Sequence, residues 1–216
     1  RVIEPVGVLP QSAKRINNEM ICNDNEILCE VNTLNIDSAS FTQIKEACNS
    51  DLDAMAKMIL DIVNDKGKMQ NPVTGSGGMF LGKIKEIGKD IDTPYAVGDK
   101  IASLVSLSLT PLKIKNIISI DIEKDQVDVI AEAILFETGI FAKIPDDLPD
   151  NIVLSALDVC GAPAQTNVLV KENDHVLILG GAGKSGVLCA YQASQNTKGK
   201  VIAVVYSEKE REDLEV

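Results

Sequence analysis

The chain has 216 residues, 45% hydrophobic but only 3% aromatic and without Trp, which suits one large or two small domains with an aliphatic core. A formal net charge of -11 argues against nucleic acid and anionic membranes as partners. The five cysteines (Cys22, Cys29, Cys48, Cys160, Cys189) are odd in number and form no C-x-x-C, against a disulfide framework or a clustered zinc site and in favour of the reducing cytoplasm. No apolar run reaches a membrane span, and the N-terminus, which begins with Arg rather than Met, lacks a signal-peptide pattern.

The first pattern in chain order is a strand over Glu26 to Asp37, with Ile27, Cys29 and Val31 on one face. A helix follows. Ser50 is its expected cap, with Asp53 three residues on, and Leu52, Met55, Ile59 and Ile62 or Val63 form its apolar stripe. Gly67 is the expected stop. Glycine-opened strands are then expected over Gly75 to Gly88 and Tyr95 to Leu107, and short strands over Ala133 to Asp150, ending at a Pro/Asp boundary. Short strands separated by glycine turns predict a small barrel-like β domain over residues 1–150. From Asn151 the pattern becomes helix, strand, helix, strand.

Within that second part, "HVLIL" (His175 to Leu179) reads as a buried strand and "KVIAVVY" (Lys200 to Tyr206) as another. Between them "GGAGKSG" fits G-x-G-x-x-G at Gly181, Gly183 and Gly186, opening a helix. The P-loop pattern fails, because Ile178 stands where its first glycine is needed. The expectation is a βαβ unit whose bend, Gly181, Ala182, Gly183, Lys184, Ser185 and Gly186, receives a dinucleotide's pyrophosphate at a helix tip. Gly181 is expected to allow the tight turn, Gly183 the approach of phosphates, and Gly186 close helix packing. The acidic residue that binds a ribose diol is absent from the end of the second strand, where Val205, Tyr206 and Ser207 stand. Ser207, Lys209 and Arg211 are candidates for a 2'-phosphate, so NAD and NADP both stay open.

"GKIKEIG" (82–88), "VGDKIA" (97–102), "FAKIPDDLP" (141–149) and the glycine bend occur in an order and spacing that resembles the medium-chain dehydrogenases/reductases. The resemblance implies an α/β fold with a β-rich part: a GroES-like catalytic or substrate domain over 1–150, then the start of a parallel, doubly wound Rossmann domain over 151–216 that is incomplete, stopping at "EKEREDLEV". A chain cut there is expected to expose strand edges and an apolar helix face. More narrowly, "NIDSASFTQI", "GKMQNPVTGSGGM", "AILFETGIFAKIPDDLP" and "LDVCGAPAQTN" look like the diaminohexanoate dehydrogenase family of anaerobic lysine fermentation. Zinc-dependent members of the superfamily carry a Gly-His-Glu triplet whose His and Glu positions here hold Gly78 and Met79. The resemblance is therefore to a zinc-free branch, with no metal ligands.

That family resemblance implies NAD(P)-dependent oxidative deamination of a diamino acid, in an enzyme that is a homodimer at full length. The reaction needs a base to deprotonate the ammonium and acids to hold a doubly cationic substrate. Asp37, after the first strand, Asp158, where the two domains are expected to meet, and Glu137, in "LFETG", are the candidates. Each serves equally well as a plain cap or turn residue. Cys160 lacks a His partner, and the single His175 is read as solvated or capping. The rivals are a zinc-free quinone or enoyl reductase and a non-catalytic nucleotide-binding fragment.

Overall fold

The computed structural model describes residues 1–144 and 147–214, so Pro145 and Asp146 of the "FAKIPDDLP" motif lie outside the described residues. The chain divides into two compact units, Arg1–Asp150 and Asn151–Val216.

In the first unit, β1 (Val2–Glu4) and β2 (Arg15–Ile16) pair as a short antiparallel ribbon. The main sheet has six antiparallel strands in the order β6-β7-β3-β4-β5-β8. They are β3 (Glu26–Ile36), β4 (Gly78–Ile87), β5 (Lys100–Ser103), β6 (Leu112–Asp121), β7 (Gln126–Phe136) and β8 (Phe141–Lys143). β3 lies inside, between β7 and β4, and its register slips between Leu28 and Cys29 and between Val31 and Thr33. Such slips bend and twist a strand, which curves the sheet around its core. Ile27, Cys29 and Val31 are buried as the alternation predicts. Burial pushes the Cys29 thiol up to about 12, so it is a core group and not a nucleophile.

Two helices pack against this core. α2 (Leu52–Lys66) buries Met55, Ile59, Ile62 and Val63 of the expected stripe, and ends on Gly67 at φ 74, the left-handed stop; Leu52, expected in that stripe, is exposed because it opens the helix at its first turn. Its cap is Asp51, whose side chain accepts from the Ala54 N–H at 2.9 Å. Ser50, the expected cap, is itself left-handed at φ 60 and so cannot take the extended conformation a cap needs. α1 (Ser38–Ala47), which is not among the expected elements, buries only Ser40, Phe41 and Ile44. A stripe that short gives little periodic signal. β6 and most of β7 also lie outside the expected strands: their burial alternates only briefly, over Leu112 to Ile114 and Val127 to Ala131, and β6 carries register shifts after Ile114 and Ile117.

The second unit carries α3 (Asp150–Leu157), α4 (Gly161–Leu169), β9 (Val176–Leu179), α5 (Lys184–Asn196), β10 (Val201–Val204) and α6 (Glu208–Leu214). β9 and β10 pair in parallel, from Val176 opposite Val201 to Leu179 opposite Val204. This is the expected βαβ unit, but its strands are not buried as expected: none of their residues is fully buried, because one face of the pair is left uncovered. Leu177, Leu179, Ile202 and Val204 project from one face of the strand pair and are exposed, as are Val168 and Leu169 on α4. No helix among the described residues is long and apolar enough to cross a membrane.

Candidate functional site

The glycine bend joins β9 to α5. Its tight-turn residue is Gly180, at φ 76, rather than Gly181. The fingerprint located the bend, but the left-handed position falls one residue earlier. Gly181 is required for packing: a Cβ there would lie 2.5 Å from the Ala203 Cβ on β10. Gly186 is required for the same reason, since its Cβ would meet the Gly180 carbonyl oxygen at 2.3 Å. Gly183 differs. A Cβ there would make only an ordinary contact, 3.5 Å from the Gly180 oxygen, and its φ of -70 suits any residue. The fold alone therefore does not demand glycine at 183.

Gly183 caps α5 without a side-chain hydrogen bond, and the first intrahelical bond runs from the Val187 N–H to the Gly183 oxygen at 3.0 Å. Among the described residues, no acceptor faces the N–H groups of Lys184, Ser185 and Gly186. Three donors at the positive end of a 13-residue helix, beside an exposed glycine with open space, fit an anionic diphosphate. Gly183 and Lys184 are exposed, Ala182 and Ser185 half-buried, and Gly181 and Gly186 buried. Ser207 follows β10 and caps α6: its hydroxyl accepts from the Glu210 N–H at 3.3 Å, while Glu210 reaches back to the Tyr206 N–H at 2.8 Å. Arg211 pairs with Glu208 at 2.8 Å.

In the first unit, Asp37 is the N-cap of α1 and half-buried. One carboxylate oxygen, Oδ1, accepts from the Ala39 N–H at 3.1 Å and from the Ser76 hydroxyl at 3.1 Å. Behind it, Ser40 Oγ lies 2.6 Å from both Ser76 Oγ and Thr74 Oγ1. Asn71, fully buried, ties this cluster down: its Oδ1 accepts from Val73 and Thr74 N–H, and its Nδ2 donates to the Ser40 carbonyl oxygen and to Gln43. The hydroxyls of Thr74 and Ser76 meet Ser40 on α1, a helix that the periodicity does not predict, so the cluster has no signal in the sequence.

Gly78 lies at φ 111, and a Cβ there would be 2.0 Å from the Asn35 carbonyl oxygen and 2.8 Å from the Asp37 nitrogen. A side chain at Gly78 would therefore run into the end of β3. No three His, Cys, Asp or Glu side chains gather among the described residues.

Glu137 stands exposed after β7, beside a shallow hollow of about 220 Å³ that Asp92, Tyr95 and Phe141 also line. Asp158 is exposed in the turn between α3 and α4, its N–H on the Leu154 oxygen at 3.1 Å. His175 is exposed and its Nδ1 accepts from the Lys200 N–H at 2.9 Å, a capping role as expected.

Comparison with known proteins bears on the fold and on the family. Solved structures with the same fold include a mycobacterial quinone oxidoreductase (TM-score 0.52, 18% identity, covering 94% of this chain and 52% of that one). The CurK enoyl reductase also shares it (TM-score 0.56, 16% identity, 93% of this chain and 51% of that one). They support the α/β architecture with a GroES-like β domain ahead of a Rossmann-type unit. The L-erythro-3,5-diaminohexanoate dehydrogenase of Fusobacterium nucleatum is 57% identical over 215 residues, 98% of this chain, and that of Acetoanaerobium sticklandii is 55% identical over 218 residues, 99% of this chain. The chain spans 62% and 63% of the length of these two relatives. Residues 1–145 match the family model of the L-erythro-3,5-diaminohexanoate dehydrogenase N-terminal domain, and the chain belongs to that family.

Proposed function

We propose that this chain carries the N-terminal domain and the first dinucleotide-binding segment of an enzyme that oxidatively deaminates L-erythro-3,5-diaminohexanoate to 5-amino-3-oxohexanoate and ammonia, as part of lysine fermentation. Two relatives more than half identical over nearly the whole chain bear the name of that activity. The observation that carries the redox half of the reading is the bend at Gly183, where a glycine the fold does not require meets three amides that no acceptor faces among the described residues. A nicotinamide dinucleotide, NAD or NADP, supplies the hydride acceptor when bound.

The protein's own residues do the following. The N–H groups of Lys184, Ser185 and Gly186 hold the diphosphate, with Ala182 and Gly183 leaving room for it and Gly181 packing the bend onto β10. Ser207, at the end of β10, keeps its hydroxyl proton to donate to the ribose. Asp37 takes a proton from the C3 ammonium, because an amine without a free electron pair cannot expel hydride. Asp37 ranks ahead of Asp158 and Glu137 because two named donors fix Oδ1 and so aim the carboxylate. Glu137 is assigned to an ammonium group of the diamino acid. We place the enzyme in the cytoplasm as a homodimer. Five free cysteines suit a reducing compartment, and sedimentation of the full-length protein reads the dimer.

The test is reduction of NAD and of NADP by the diamino acid, using a polypeptide that carries this chain at the length of its relatives. Oxidation of NADPH by quinones or enones is measured beside it. Turnover of the quinones and not of the diamino acid replaces this reading with the reductase one. Cofactor binding that fails in every form replaces it with a non-catalytic role.

A further inference from the structure

We propose that Ser76, Ser40 and Thr74 form a hydroxyl relay that carries protons between Asp37 and solvent. The inference rests on the reading of Asp37 as the base. A base that takes a proton in every turnover must lose it again before the next, and Asp37 is only half exposed.

The geometry supplies a route. Ser76 Oγ is 3.1 Å from Asp37 Oδ1, Ser40 Oγ is 2.6 Å from Ser76 Oγ, and Thr74 Oγ1 is 2.6 Å from Ser40 Oγ; Thr74 Oγ1 also meets Ser76 Oγ directly, but at the longer distance of 3.2 Å. The middle member is fully buried and the last is exposed. Ser40 is the informative residue. A serine inside a helix ordinarily turns its hydroxyl to the carbonyl one turn back or to water. Here it bridges two hydroxyls of another segment instead. In both 2.6 Å contacts either oxygen can donate, so the chain runs in either direction. Buried Asn71 holds the Ser40 carbonyl and the Thr74 N–H together, which fixes the spacing.

The step balances without any co-reactant. The carboxyl proton of Asp37 passes to Ser76 Oγ as the Ser76 proton passes to Ser40 Oγ. The Ser40 proton passes to Thr74 Oγ1, and the Thr74 proton to water. Each O–H bond breaks as the next forms. All three hydroxyls are restored, and the carboxylate and a hydronium ion result.

The experiment compares Ser40→Ala, Thr74→Val and Asp37→Asn in the polypeptide of relatives' length, reading kcat, the solvent-deuterium proton inventory and rescue by small buffer bases. Thr74→Val is isosteric and exposed, so it keeps the test open even where Ser40→Ala weakens the fold. The expected result is a kcat lowered about tenfold in both relay variants, less than the roughly 100-fold or more that a positioned acid or base itself contributes, because the base stays in place and only its exchange with solvent slows. The proton inventory straightens from a bowed to a linear dependence, and added imidazole restores the rate. If Asp37→Asn is inactive while Thr74→Val keeps the parent kcat and inventory, the relay is overturned and the base stands. An Asp37→Asn enzyme with full activity overturns both. A Ser40→Ala loss that follows the melting temperature and is not rescued by buffer assigns the serine a packing role and also overturns the relay.

Discussion

Gly186 is seated directly on Gly180: a Cβ on the first would stand 2.3 Å from the carbonyl oxygen of the second. Backbone on backbone cannot yield the way a flexible side chain can. Gly186→Ala is therefore expected to push the helix start off the bend and cost the second unit about 1–3 kcal/mol, typical of overpacking. Gly183→Ala tests the ligand rather than the fold, because the nearest heavy atom to its Cβ is 3.5 Å away. It should leave thermal unfolding unchanged and weaken NADH binding roughly tenfold in a fluorescence titration, about 1.4 kcal/mol. Equal binding by the two proteins would show that the glycine there is incidental.

Gly78 makes a similar argument for the first unit. Its φ of 111 and the 2.0 Å approach of the Asn35 oxygen leave no place for a side chain. Gly78→Ala should lose at least about 2 kcal/mol by denaturant unfolding, since backbone strain and overpacking both contribute. Gly78→His should bind no zinc unless β3 moves, and metal analysis of the purified variant checks this.

Arg1 and Glu26 form a nearly buried fork, with Nε to Oε1 and Nη2 to Oε2 both at 2.6 Å. Burial pushes the Glu26 carboxyl up, but the Arg1 hydrogen bond and the Asn23 N–H outweigh it and hold the group below its usual value. A carboxylate lowered in the folded state contributes stability that is present above its unfolded pKa, about 4.3. That stability is lost as pH falls through the folded value. Glu26→Gln should thus cost about 3 kcal/mol near pH 7, as when one partner of a buried pair is removed. The gap from the parent should narrow below about pH 4. A gap that is constant with pH would count against the ion pair.

Lys68 shows no exposed surface, and its Nζ donates to the Pro10 oxygen at 2.6 Å and the Gln11 oxygen at 3.3 Å. Burial, with Lys66 second, pulls its ammonium down to about 8. The sign is opposite to that of Glu26. Below that pH the buried charge weighs fully against folding. Between there and the unfolded value of about 10.4, the folded form sheds the proton first, so stability from this group rises with pH. Melting temperatures of the parent and Lys68→Met, taken from pH 7 to pH 10, should shift in the parent's favour. A pH-independent difference would show that Lys68 stays charged throughout.

Part of this molecule is legible along the chain. The α2 stripe, the Gly67 stop, the β9–bend–α5–β10 order and the core face of β3 follow from local periodicity and from backbone positions that favour glycine. Such signals need no distant partner. The motifs that carry the family resemblance are likewise contiguous. What needed the tertiary structure is whatever depends on two segments meeting. The sequence does not show that Ser40 on α1 reaches Thr74 and Ser76 more than thirty residues away. Nor does it show that Asn35 fills the space at Gly78, or that Gly180 and not Gly181 takes the left-handed turn. A hydroxyl or an amide has no periodic signature, and its partner is chosen by the path of the backbone. Sequence alone therefore determined the elements and the kinship, and packing decided which polar groups face one another.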